Sequence, residues 1–179
     1  MLRTISLLCV LCFYIIGGAE PAKARVTGDQ IWTSVKKMEQ VGHATYYFGL
    51  WEVYEAALST PNGTWSNNAP FALSLTYARS IKGKKIAGES VKQMRAQGIT
   101  DEIVLATWHG QMRNIFPDVK KGTTLTGVFT KDKKTHFFHD GKAIGVIDDP
   151  AFGISFFNIW LGKNTSYPLL RRQLLKVKK

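Results

Sequence analysis

The fold is decided by one stretch of sequence, Phe71-Ala72-Leu73-Ser74-Leu75-Thr76-Tyr77-Ala78-Arg79-Ser80-Ile81. Large side chains occupy every second position, and Ala, Ser and Thr fill the positions between them. Because successive residues of a β-strand point to opposite faces of a sheet, this alternation predicts one strand over residues 71–81. The large residues then form one face, and Arg79 lies next to Tyr77 on it.

Further strands are predicted on both sides of this stretch. Residues 41–58 are rich in aromatic and β-branched side chains and predict one extended strand, bent near Gly49, that pairs with residues 71–81. Residues 60–70 contain clustered turn-forming residues and predict a loop between the two strands. Three more strands are predicted as a meander at residues 123–130, 135–139 and 142–148, and Asp140-Gly141 is the turn between the last two.

Helices fill the remaining intervals. The third predicted helix begins with Asp149 as its cap and Pro150 at its first position, and its apolar residues point in nearly every direction, so it should be buried. Thr100 is the expected cap of the second helix. Strands followed by helices and then by strands predict an α+β fold with helices on one face of an antiparallel sheet. The helices are predicted at residues 83–97, 101–116, 150–162 and from about residue 168 onward.

The N-terminal segment has the pattern of a cleavable export signal. Arg3 precedes an apolar run over residues 5–16, which is shorter than the roughly 18 residues of a membrane span. Ala22-Lys23-Ala24 provides small residues for a signal peptidase, so we expect cleavage after Ala24 and a single domain over residues 25–179 in the periplasm. Cleavage would remove both cysteines of the chain, which leaves the domain without a disulfide or a thiol site.

The chain is strongly basic, with a formal net charge of +11. In a cytoplasmic protein this charge would suggest nucleic acid, but the lysines are scattered rather than interleaved with aromatic residues, and we expect no nucleic-acid partner. A weak attraction to an anionic membrane surface or to acidic ligands is compatible with the charge. We expect the domain to be a monomer.

Three segments carry a resemblance to the bacterial chalcone isomerase-like family: residues 53–58, residues 71–81, and residues 156–162 with the continuation to Leu174-Leu175. Their order and spacing match over nearly the whole of residues 25–179. The resemblance implies an open-faced β-sandwich, in which an antiparallel sheet packs on a layer of helices with a cleft between them. The wider superfamily includes plant chalcone isomerases, fatty-acid-binding relatives and members without established activity, so function must be argued from the site.

The isomerase reaction closes a ring by attack of a phenolate on an enone, which requires a cation near the phenolate. In the plant enzymes the resemblance implies an arginine just after a glycine-rich turn and before the long strand that ends in Val-Tyr. The matching stretch is Gln40-Val41-Gly42-His43-Ala44-Thr45-Tyr46-Tyr47, and it contains no arginine. This departure favours a binding protein over an enzyme.

Arg79 is the one cation set among apolar neighbours of the predicted strand. Its planar fork is suited to the carboxylate of a fatty acid or another amphipathic acid, and Tyr77, Tyr46 and Tyr54 could supply hydroxyl groups to the same ligand. The other interpretation is an arginine near a strand end that extends to solvent or pairs with a carboxylate such as Glu52 or Glu55, with each tyrosine serving as a core residue.

Other chemistries find little support in the sequence. His136 and His139 are three residues apart on a strand and therefore face opposite sides, so no shared metal is expected. No nucleophile elbow, phosphate-binding loop or dinucleotide fingerprint is present, and we expect no cofactor. The sequence thus predicts an exported domain that binds a small amphipathic acid without transforming it. An intramolecular isomerase and an interaction module without a small ligand remain the alternatives.

Overall fold

In the computed structural model, which describes residues 27–67 and 70–177, an antiparallel sheet of six strands packs with five helices. The strand order follows the sequence from first to last, and every neighbouring pair is antiparallel. This confirms the α+β class and the open-faced sheet with its helices. The predicted signal sequence over residues 1–24 lies outside the described residues. The elements are α1 Gly28–Val35, β1 Glu39–Phe48, β2 Trp51–Thr60, β3 Phe71–Tyr77, α2 Gly83–Ala96, α3 Glu102–Ile115, β4 Thr124–Phe129, β5 Thr135–His139, β6 Lys142–Ile147, α4 Pro150–Leu161 and α5 Pro168–Leu175.

The prediction of one bent strand over residues 41–58 is wrong, because the chain reverses there completely. Gly49 has a φ of 60°, a backbone conformation that residues with a Cβ rarely adopt. Phe48 and Trp51 are directly opposed on the two arms, so β1 and β2 form a hairpin. The bend was predicted at the correct glycine, but the apolar pattern continues through it and concealed the turn.

Strand β3 ends at Tyr77 instead of continuing to Ile81. The Tyr77 N–H donates to the Thr123 carbonyl at 2.9 Å, just before β4 begins at Thr124, and the pairing of β3 with β4 ends there. The following residues form a bend that leads into α2, with one isolated bridge between Ile81 and Val119. Arg79 therefore lies in the bend and is exposed, not on the buried face of a strand.

The local signals at the helix starts and at the last turn are mostly confirmed. Asp149 Oδ1 accepts from the Ala151 N–H at 2.8 Å, and Pro150 is the first residue of α4. Asp140 and Gly141 have φ values of 47° and 81°, as a two-residue turn between β5 and β6 requires. Thr100 is not the cap of α3, since Asp101 Oδ1 accepts from the Ile103 N–H at 3.0 Å.

The helices form a layer on one face of the sheet, with one addition on the other face. Helix α4 is largely buried, as predicted, and its aromatic residues enter the main core with those of β3 and β5. Helix α1 was not predicted; it packs Ile31 against Ala72, Val128 and Phe138 on the opposite face. Among the described residues, no helix combines the length and the apolar character needed to cross a membrane.

Candidate functional site

A cavity of about 640 Å³ lies between the inner face of the sheet and helices α2 and α4. The sheet contributes large side chains from β3, β4 and β5, and the helices contribute residues that face them. This volume falls within the ~300–1,000 Å³ typical of small-molecule sites. The deep wall is apolar and includes Leu73, Leu75, Leu125, Phe137, Phe156 and Ile159.

Three tyrosines form a row along one side of the cavity. Tyr46 on β1 is directly opposite Tyr54 on β2, and Tyr54 is directly opposite Tyr77 on β3. Directly opposed residues of antiparallel strands share one face, so the strand register places the three rings next to each other. Ring centroids are 5.1 Å apart for Tyr46 and Tyr54 and 5.9 Å apart for Tyr54 and Tyr77. Tyr167, just before α5, packs edge-on against Tyr46 at 5.0 Å.

The hydroxyl groups of this tyrosine row differ in their partners. Trp160 Nε1 on α4 donates to Tyr54 Oη at 3.0 Å. The Tyr77 hydroxyl has no hydrogen-bond partner among the described residues, although the residue is only 3% exposed and lines the cavity. Burial raises the pKa of both Tyr54 and Tyr77 above the ordinary tyrosine value. Both phenols are therefore neutral at physiological pH, and Tyr77 has a free hydroxyl for a ligand oxygen.

Charged residues surround the mouth of the cavity, where its lining residues become exposed. Lys82 is already paired, with Nζ 2.7 Å from Asp118 Oδ2. Lys92 lies 3.6 Å from Glu89, which also accepts from Gln93 Nε2 at 2.7 Å. The remaining two cations of the mouth are Arg79 and Lys85.

Arg79 and Lys85 have no carboxylate within 4.0 Å in the described part of the chain. The pairing of Arg79 with Glu52 or Glu55 is thus not observed there. Instead the Arg79 guanidinium lies 5.4 Å from the ring centroid of Trp51, a cation–π contact with the β1–β2 hairpin. The mouth consequently presents two cations without an anionic partner among residues 27–67 and 70–177.

All four residues proposed from the sequence as ligand-binding, Arg79, Tyr77, Tyr46 and Tyr54, line this one cavity. The open-faced sheet with its helices and the cleft between them are those that the family resemblance implies. The model of a family described as chalcone isomerase-like matches residues 29–176.

The chain belongs to the chalcone isomerase-like family.

This chalcone isomerase-like chain is also similar to a bacterial protein and to a plant protein of known structure. A Haemophilus influenzae protein described as uncharacterized is 28% identical over 138 residues, which cover 76% of this chain and 67% of the relative. The crystal structure of an Arabidopsis thaliana fatty-acid-binding protein superposes with a TM-score of 0.60 and covers 78% of this chain and 87% of that one. At 10% sequence identity, this second likeness concerns the fold alone.

Some residues that line the cavity were not predicted from the sequence as part of a site. Lys85 lies in the first turn of α2, where a lysine has the ordinary appearance of a solvated charge. Tyr167 stands in the connection before α5, outside any periodic pattern. Trp160 is a buried core residue of α4, and its indole also donates to Tyr54 of the tyrosine row. No local signal identifies these three, because each becomes part of the cavity only through long-range packing.

The described residues contain no group of three or more His, Cys, Asp or Glu side chains that could hold a metal ion. His136 and His139 both lie on β5. Burial lowers the pKa of His136 below the ordinary histidine value, with smaller opposing effects from nearby carboxylates. Neither histidine lines the cavity.

Proposed function

We propose that this chain is an exported, non-catalytic protein that binds a small amphipathic acid, such as a fatty acid, in the cavity between sheet and helices. The observation that carries the proposal is the combination of an apolar cavity with two cations at its mouth that lack a carboxylate partner in the described residues. A ligand with an apolar chain and one carboxylate complements both features.

The orientation of the ligand follows from the same features. Its hydrocarbon would lie against the deep wall formed by residues such as Leu75 and Phe156, and its carboxylate would remain at the mouth. Arg79 can approach that carboxylate with two parallel N–H groups, whereas Lys85 acts as a point charge. The Tyr77 hydroxyl is positioned to donate to a ligand oxygen. The fatty-acid-binding protein of similar fold supports this ligand class by analogy.

The decisive experiment is a titration with a long-chain fatty acid on matched arginine variants. Arg79→Leu should weaken binding by about 1.5 kcal/mol, the lower end of the range for hydrogen bonds to charged groups, because water screens an exposed guanidinium. Arg113→Leu is the control, since it removes the same charge from an exposed position on α3 that does not line the cavity. Arg79→Lys should recover part of the loss.

Thermal unfolding of the same variants separates binding from stability. We expect Arg79→Leu to unfold close to the wild type, since the variant loses only an exposed cation–π contact. Equal affinities for the Arg79→Leu and Arg113→Leu variants would remove Arg79 from the site. Native mass spectrometry of protein purified from its own cell envelope provides an independent check, because a co-purified acid would identify the ligand class.

Export is part of the proposal and has its own test. The apolar run over residues 5–16 and the Ala22-Lys23-Ala24 site motivate cleavage after Ala24. N-terminal sequencing of the native protein should therefore begin at Arg25, and fractionation should find the protein in the soluble periplasm. An intact Met1 on membrane-bound protein would contradict export by cleavage.

A further inference from the structure

The β1–β2 hairpin ends in an exposed apolar tip. The hairpin tip, residues 47–51, contains four large side chains with most or much of their surface in water: Tyr47 54%, Phe48 71%, Leu50 97% and Trp51 64% exposed. A Cβ placed on Gly49 would have no neighbour within 4 Å, so the described molecule leaves the turn at the end of the hairpin uncovered.

This cluster differs from the other exposed apolar residues of the described chain. Single exposed hydrophobic side chains are ordinary on soluble proteins, whereas contiguous groups usually mark an interaction surface. Four such residues within one turn are therefore unlike the rest, which are dispersed over separate segments. The dispersed residues are Ile103, Val146, Ile154, Leu169 and Val177.

The surroundings of the hairpin tip carry charges of both signs, and the cations there without a carboxylate within 4.0 Å in the described residues are Arg79 and Lys85. Arg79 stacks over Trp51, and Lys82 and Lys85 line the same cavity mouth as Phe48. Acidic groups are also present, since Glu52 follows Trp51 and Glu89 lies at the mouth, and Asp118 pairs with Lys82. The net charge of +11 for the chain leaves a long-range attraction to anionic surfaces.

We propose that the hairpin tip docks this protein on the surface of a bilayer that contains anionic lipid. Trp and Tyr prefer the interfacial zone of membranes, and the transfer of Phe and Leu from water into the adjacent hydrocarbon lowers the free energy. An uncovered turn with exposed apolar side chains needs no matching concavity when the partner is lipid. Basic residues near the tip add electrostatic attraction to acidic headgroups.

Docking in this manner would place the cavity mouth at the membrane surface. Phe48 belongs to the hairpin tip and also lines the cavity, and Arg79 contacts both. An apolar acid could then pass between bilayer and cavity with little exposure of its chain to water. This consequence rests on the proposed ligand-binding function, whereas the docking itself does not.

The test is co-sedimentation with vesicles of equal parts phosphatidylglycerol and phosphatidylethanolamine, compared with vesicles of phosphatidylcholine. A protein comprising residues 25–179 is suitable, because all the described strands and helices lie within it and the apolar run over residues 5–16 cannot then bind lipid itself. We expect the wild type to bind the anionic vesicles, and Leu50→Asp to bind them at least about tenfold more weakly than the wild type. Ile103→Asp, which makes the same change at an exposed position on α3, should bind like the wild type.

Several outcomes would overturn the docking proposal. These are failure of the wild type to bind anionic vesicles, equal losses for the two aspartate variants, and a dimer in sedimentation equilibrium that Leu50→Asp dissociates. The last result would assign the tip to contact with a second copy. Circular dichroism and the neutral variant Leu50→Ser guard against misfolding. Fatty-acid titration without vesicles reports on the cavity separately, since Leu50 does not line it.

Discussion

Tyr54 and Tyr77 occupy neighbouring positions of the tyrosine row but have different relations to the rest of the protein. Tyr54 Oη accepts a hydrogen bond from Trp160 across the interface of sheet and helix. Tyr77 has no such partner among the described residues, and burial raises the pKa of its phenol, so the hydroxyl stays protonated. The fold provides a partner for the first hydroxyl, whereas the second is available to a ligand oxygen under the proposed function.

Phenylalanine substitutions at these two positions should therefore have opposite consequences. Tyr54→Phe should lower the free energy of unfolding by about 1–3 kcal/mol, because it leaves the buried Trp160 N–H without an acceptor. Tyr77→Phe should leave stability nearly unchanged and weaken fatty-acid binding by about 0.5–1.5 kcal/mol, the usual net value of one neutral hydrogen bond. Urea denaturation and fatty-acid titration of both variants measure the two effects.

Each tyrosine variant is the control for the other, since both lose one hydroxyl from the same row. A loss of stability in Tyr77→Phe would indicate a structural role for its hydroxyl. Unchanged affinity in that variant would remove Tyr77 from the ligand site.

At the scale of elements, helix α5 seals the β1 side of the sheet through an unusually close approach. A Cβ on Gly42 of β1 would collide with the carbonyl oxygens of Gln173 and Leu174 in the last turn of α5. Backbone atoms cannot rotate away as a side chain can, so only glycine allows this contact. Leu174 and Leu170 of α5 are buried in the main core as a result.

Gly42→Ala should consequently destabilise the protein by about 1–3 kcal/mol, the range for overpacking that requires backbone shifts. Gly110→Ala on α3 is the matched control, since a Cβ there would have no neighbour within 4 Å. That control should be more stable than the wild type by about 0.5–1 kcal/mol, because alanine loses less backbone entropy than glycine in a helix. Urea denaturation measures both, and equal stability for the two variants would contradict the close approach of α5.

At the scale of the whole molecule, tyrosine hydroxyl groups line the cavity. The arginine that the family resemblance implies before the long strand is absent from residues 40–47. Thr45 and Tyr46 occupy that part of β1, and Tyr46 is the one of the two that lines the cavity. The available cations, Arg79 and Lys85, come instead from the bend after β3 and from α2. Both belong to the mouth of the cavity rather than to its deep apolar wall.

We therefore expect no isomerase activity toward hydroxylated chalcones. Ring closure followed by absorbance should proceed at the spontaneous rate with and without the protein, because the described residues place no cation on the deep wall of the cavity to stabilise the developing charge. Saturable closure that yields one enantiomer would contradict this expectation and establish the alternative function, an intramolecular isomerase.

Much of the fold could be predicted because its signals are local. The alternation from Phe71 to Tyr77 requires a strand with two unlike faces, and Asp140-Gly141 requires a tight turn. Asp149 followed by Pro150 begins a helix through contacts within a few residues. The family motifs extended these predictions to the whole sheet, and the structure confirmed the α+β class.

Other features depend on which distant residues become neighbours. The register across β1, β2 and β3 aligns Tyr46, Tyr54 and Tyr77, and no periodicity in the sequence specifies that register. The end of β3 depends on where β4 begins. For this reason Arg79 lies in an exposed bend and not on the strand face predicted from the sequence. Residue types and local chain geometry thus determined most of the elements, but not the β1–β2 hairpin, helix α1 or the end of β3. Only the tertiary structure decided the site, because a cavity exists only between surfaces that long-range packing brings together.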